Sequence, residues 1–203
     1  MSRKAASMRT RPHILALAAL FTLCTPGCAS KHAAAQMGRL MTADERTMVT
    51  DAAALMAKKG LKDESALATS LLGKGIWRSA TADDIYMKQA EKDGGTPYAY
   101  TLSAGKQPSA IVLAPRFFKE TTAPARASLM LHELGHYRAY VKTGFSDETD
   151  GYKAQYDANK KLGMGEEDSL PYFAMLDGVV EYVVPKYPEY KKYPDVKGYM
   201  TTP

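Results

Sequence analysis

The sequence predicts an α+β domain, mainly helical, with a small β-sheet next to the helix that carries the segment HELGH. Three observations predict it. Several segments of 3.6-residue periodicity carry their own capping residues, two short alternating apolar runs stand side by side in mid-chain, and no internal repeat interrupts them. With 203 residues, 45% hydrophobic and 24% charged, one core is expected, spanning residues 40–203.

The elements follow in order. In LMTADERTMVTDAAALMAKKG, Thr42 with Glu45 three residues on forms a capping box, Met48, Ala52, Leu55 and Met56 mark an apolar stripe, and Gly60 closes the helix. A second helix is expected over Glu64 to Leu72, broken by Gly73 and Gly75, and a third over Thr81 to Lys92. GGTP at Gly94 to Pro97 reads as a turn. PYAYTLS and PSAIVLA, separated by AGKQ, read as a β-hairpin or two neighbouring strands. TTAPARASLMLHELGHYRAYVKTG returns to helix, with Thr122 as its cap, Pro124 in the first turn and Gly144 past the end. Two more helices are expected over about Asp147 to Lys161 and Ser169 to Val184, before an irregular tail rich in Pro and Tyr. Trp77 and the methionines Met48, Met56, Met130 and Met175 read as core. Tyr187, Tyr190, Tyr193 and Tyr199 read as a tail packed over the domain, with a peptide- or glycan-contacting surface as their other use.

The first residues belong to none of this. Arg3, Lys4, Arg9 and Arg11 precede an apolar run from Ile14 to Leu23 that is too short to span a bilayer. That is the pattern of a secretory signal over residues 1–27, and TPGC at Thr25 to Cys28 resembles a bacterial lipobox, with Thr25 where Leu is usual. The resemblance implies cleavage before Cys28, lipidation of Cys28, and a tether over residues 28–39. It places the chain in the cell envelope, anchored to a membrane through Cys28 and facing the periplasm. Ala29 and Ser30 carry no Asp retention signal, which favours the outer membrane. Four of the 27 basic residues leave with the leader, so 23 face 22 acids in the mature chain. The apparent basicity therefore reports export, and no nucleic-acid partner is expected.

On a helix, residues four apart share a face, so His132 and His136 can present two imidazole nitrogens to one metal ion. Glu133 stands beside them, placed to take a proton from water and hand it to a leaving amine. This is the H-E-x-x-H pattern, and HELGH resembles the zincin superfamily of metallopeptidases. The resemblance spans roughly Ala110 to Val184 and is loose outside HELGH. It implies a Zn2+ cofactor, Glu133 as catalytic base and a peptide or protein substrate. It also implies that the strand AIVLAP before the motif is the edge strand that aligns substrate. The alternative is a non-catalytic metal-binding lipoprotein acting in binding or assembly at the envelope.

The domain keeps no histidine outside the motif, so the third ligand is expected to be a carboxylate, as in gluzincins. Helix phase puts Glu148, Gly151, Gln155, Ala158 and Leu162 on one stripe, where small residues allow close packing and bring Glu148 to the metal. ETDGYKAQ resembles the E-x-x-A-Y-x-x-Q segment of small gluzincin-like families, matching Glu148, Tyr152 and Gln155, with Gly151 in place of Ala. Asp150 falls with Asp147, Ala154, Asp157 and Lys161 on a stripe that reads as solvated. LDGVVEYV resembles the E-G-x-A-E-Y segment of aminopeptidase-type gluzincins, which keeps Asp177 and Glu181 as rival ligands; Asp150 is a fourth candidate. Tyr137, Tyr140 and Tyr152 lie near the motif, any one a candidate donor to an oxyanion.

Overall fold

The computed structural model describes residues 38–92, 97–104 and 107–165. The expected export signal, Cys28 and most of the expected tether lie outside these residues, as do most of the expected GGTP turn, the helix expected over Ser169 to Val184 with Asp177 and Glu181, and the tyrosine-rich segment beyond it. The described part is mixed α+β and mainly helical, with one three-stranded sheet.

Helix α1 (Ala43–Lys58) starts at the predicted capping box: Thr42 accepts from the Glu45 amide and Glu45 accepts from the Thr42 amide. Glu45 also takes a bidentate pair of bonds from Arg39 at 2.6 and 2.8 Å and one from Ser79 at 3.0 Å. These donors, Arg39 foremost, outweigh burial and hold its carboxyl down at about 2. Arg39, read as the end of the tether, is thus docked, and its backbone exchanges two hydrogen bonds with Ser79. Helix α2 (Lys62–Gly73) leads into strand β1 (Trp77–Ser79). Trp77 is buried as predicted, its indole N–H donating to the Ala68 carbonyl at 3.0 Å.

The third helix is shorter than its periodicity suggested. It begins at Ile85 because buried Asp84 turns its carboxylate onto the amides of Tyr86 and Met87, ending the preceding turn as a cap. That helix, α3 (Ile85–Lys92), precedes the two predicted strands, β2 (Ala99–Ala104) and β3 (Gln107–Leu113), which pair antiparallel. β1 adds in parallel on the other side of β3, giving the order β1-β3-β2. The expected role of AIVLAP as an edge strand is therefore corrected. β3 is the central strand, and its run Ala110 to Leu113 is buried throughout because both faces are covered.

Alternation along β3 divides the core in two. Ile111 and Leu113 face a large cluster with Val49, Met56, Leu71, Phe117, Met130 and Leu134. Ala110 and Val112 face a smaller one with Met87 of α3, backed by Tyr100 and Leu102. A short helix, α4 (Pro115–Lys119), follows the sheet and inserts Phe117 into the large cluster.

Helix α5 (Ala123–Thr143) carries HELGH and lies on the sheet against β2 and β3. Its ends are those predicted: the Thr122 side chain accepts from the Ala125 amide, Pro124 stands in the first turn, and Gly144 at φ 79° terminates it left-handed. Helix α6 (Glu148–Leu162) is capped by Asp147, ends at Gly163 with φ 80°, and packs along α5 as its principal partner. Among the described residues no helix is long and apolar enough to cross a membrane.

Candidate metal centre

The site is built where α5 and α6 come closest. A Cβ on Gly135 of α5 would collide with the Asp150 carbonyl oxygen of α6 and sit 3.0 Å from the Ala154 Cβ. A Cβ on Gly151 of α6 would lie 2.6 Å from His132 Nε2. Two glycines thus let the helices approach with one imidazole between them. The predicted stripe is confirmed in Gly151, Ala158 and Leu162, all buried. The reading of Asp150 and Ala154 as a solvated face is corrected, since both are half-buried and both meet Gly135.

This packing brings His132, His136 and Glu148 together, with one potential ligand atom from each lying within 4.8 Å of the others. His132 Nε2 is 3.1 Å from His136 Nε2 and 3.3 Å from Glu148 Oε2, and His136 Nε2 is 3.9 Å from Glu148 Oε1. Two ligands about 2.0–2.1 Å from a tetrahedral ion stand about 3.3 Å apart. The nitrogen pair already has that spacing, and the three residues can hold a metal ion. Of the four acids weighed, Glu148 reaches the histidines and Asp150 does not.

Asp150 instead works from behind. Its Oδ2 lies 2.9 Å from Ser146 Oγ, and Ser146 Oγ lies 2.9 Å from His136 Nδ1. An ionised carboxylate only accepts, so Ser146 donates to Asp150 and accepts from the His136 Nδ1–H. With Nδ1 held in this way, Nε2 is the ring nitrogen aimed at Glu148 and His132, the one that a metal ion would take. Replacing Ser146 with Ala removes the acceptor that fixes the ring. We expect metal affinity to fall about 10–100-fold with little change in melting temperature, as measured by chelator competition; unchanged affinity would remove Ser146 from the site.

The electrostatics suit a cation. Burial disfavours a charged His132, yet the Glu148 hydrogen bond, the charges of Glu133 and Glu148 and a bond with Gln155 together raise its pKa. Burial likewise works against the Glu148 carboxylate, and His132 with His136 overcomes it, so that pKa is lowered. The pocket favours positive charge between two carboxylates. The Tyr152 ring stands edge-on to His132 at 4.7 Å, and burial, then Glu148 and Glu133, raise its pKa and keep the phenol protonated. Of the three candidate tyrosines, this one borders His132; Tyr137 packs against the large core cluster.

Glu133 is 4% exposed and faces β2, where Thr101 Oγ1 donates to its Oε2 at 2.6 Å. Sequence reasoning missed Thr101 and Ser146. Only the polar residue in the alternating strand hinted at the first, and no spacing marked the second. No protein-family model matches the chain, and searches of curated proteins and of solved structures return no match.

Proposed function

We propose that this domain is a zinc-dependent metallopeptidase of the zincin type, tethered through a lipid on Cys28 to the periplasmic side of a membrane and acting on exported peptide or protein. The observation that carries the reading is the convergence of His132 and His136 of α5 with Glu148 of α6, with the buried carboxylate of Glu133 on the same helix as the two histidines. The donor set, two imidazoles and one carboxylate, with Glu148 half-exposed to solvent, suits Zn2+. A Zn2+ ion held there supplies a Lewis acid that polarises the peptide carbonyl and lowers the pKa of water.

The protein's own groups do the rest. Glu133 Oε1, left free by the Thr101 bond to Oε2, takes a proton from the water that adds to the carbonyl carbon. As the C–N bond breaks, Glu133 returns that proton to the amine nitrogen. Tyr152, a neutral phenol beside His132, is the candidate donor to the developing oxyanion. β2, outermost in the sheet among the described residues and adjacent to α5, offers backbone groups to an extended peptide.

The test uses the purified full chain. One zinc per chain by elemental analysis is expected, with cleavage of an unstructured protein that a chelator abolishes and added Zn2+ restores. Absence of stoichiometric metal would overturn the reading, and metal without cleavage would leave a non-catalytic metal-binding lipoprotein.

A further inference from the structure

We propose that Thr101 is a positioning residue for Glu133, so that strand β2 sets the orientation of the catalytic base. The inference rests on the reading of Glu133 as that base. Its structural part stands by itself.

Strand register makes the contact a property of the fold. Thr101 pairs with Ile111 of β3, and directly opposed residues share a face of the sheet, so Thr101 points with Ile111 toward the large core and α5. Its neighbours Tyr100 and Leu102 point the other way, toward α3, where the Tyr100 hydroxyl donates to Asp84 at 2.6 Å. The register shifts between Leu102 and Ser103, where β3 carries the extra residue Ser109, so the regular pairing that orients Thr101 ends one residue beyond it. A one-residue slip would turn Thr101 away and present an apolar residue to Glu133.

The chemistry explains why a hydroxyl stands there. Glu133 is buried, and a buried carboxylate needs donors. The 2.6 Å separation is that of a charge-assisted O–H···O⁻ bond. Threonine is stiff about χ1 and sits on a strand, so it fixes the carboxylate plane with little freedom of its own. Holding Oε2 in this way leaves Oε1 as the oxygen free to act on water.

The experiment compares Thr101→Val, which keeps shape and strand preference but removes the donor, with Thr101→Ser, which restores it. In the full-length, zinc-loaded protein, T101V should keep one metal per chain and KM within about twofold, while kcat falls about 10–100-fold; T101S should recover most of the loss. A second measurement needs no activity. Thermal unfolding in chelator is followed for T101V alone and on a Glu133→Leu background. T101V should lower the melting temperature by several degrees beside Glu133, and not at all beside leucine. Equal shifts in both backgrounds would overturn the contact, and wild-type kcat in T101V would overturn its role in positioning. A wild-type chain that cleaves nothing would sink the peptidase reading, while the unfolding cycle would still decide whether Thr101 holds Glu133.

Discussion

Glu133→Gln should bind one zinc per chain, unfold within a few degrees of the wild type, and lose kcat by about 10²–10⁴-fold, the range that a positioned proton carrier contributes. The exchange changes one heavy atom. The amide oxygen of Gln can still accept from Thr101 at the place where Glu133 Oε2 stands, so the contact to β2 survives. What it cannot do is take a proton from water, because an amide has no basic lone pair near neutral pH. One effect runs against retention of metal. Glu133 is among the charges that favour a positive neighbour at His132, so its neutralisation should weaken zinc binding by a few-fold. His132, His136 and Glu148 remain, and zinc in excess offsets so small a loss by mass action. Elemental analysis beside steady-state kinetics separates the outcomes. A zinc-loaded variant that cleaves at the wild-type rate would remove Glu133 from the chemistry.

How much of this site was legible in the sequence depends on the range of the interaction. Helix phase is local, and it placed His132 with His136, set Thr122 and Gly144 at the ends of α5, and put Glu148 on the stripe shared with Gly151. Glu148 as the carboxylate of the cluster followed because the absence of another histidine and the stripe of small residues pointed the same way. Strand order is not local. The apolar run of β3 reads equally as an edge or a centre until β1, far upstream in the chain, is seen to pair Trp77 with Ile111. The misreading of AIVLAP as the edge strand hid Thr101, since the residue facing Glu133 belongs to β2. Asp150 was misjudged for a related reason. The five-residue stripe defined one contact line, whereas two helices that close over glycines also bury the flank, drawing in Asp150 and Ala154. Ser146 lies in the connection between α5 and α6, where no periodicity applies, and only the tertiary position of the His136 ring gives it meaning.

Gly151→Ala should cost zinc affinity at least about 100-fold, more than the ~10–100-fold typical of losing a partner behind a ligand. Its effect on stability should be small, and opposed terms make it so. In a helix interior, alanine is favoured over glycine by about 1 kcal/mol. Against that, the new Cβ would stand 2.6, 2.7 and 2.8 Å from Nε2, Cε1 and Cδ2 of His132, closer than such contacts allow. Overpacking of this kind costs about 1–3 kcal/mol, so the net lies within about 2 kcal/mol of zero. The ring is the far end of a flexible side chain and is the part that yields. It has no neutral direction in which to move, for His136 Nε2 stands 3.1 Å away and the Tyr152 ring meets it edge-on at 4.7 Å. Any rotation that relieves the clash carries Nε2 out of the cluster and leaves His136 and Glu148 as a two-ligand site. Gly73→Ala supplies the control: it lies at the end of α2, and nothing comes within 4 Å of its added Cβ. That variant should leave zinc affinity untouched. Chelator competition on the two variants, read beside their melting curves, tests the assignment of His132 as a ligand. Wild-type affinity in G151A would mean that the ring can leave its place without loss, and His132 would no longer be needed to hold the metal.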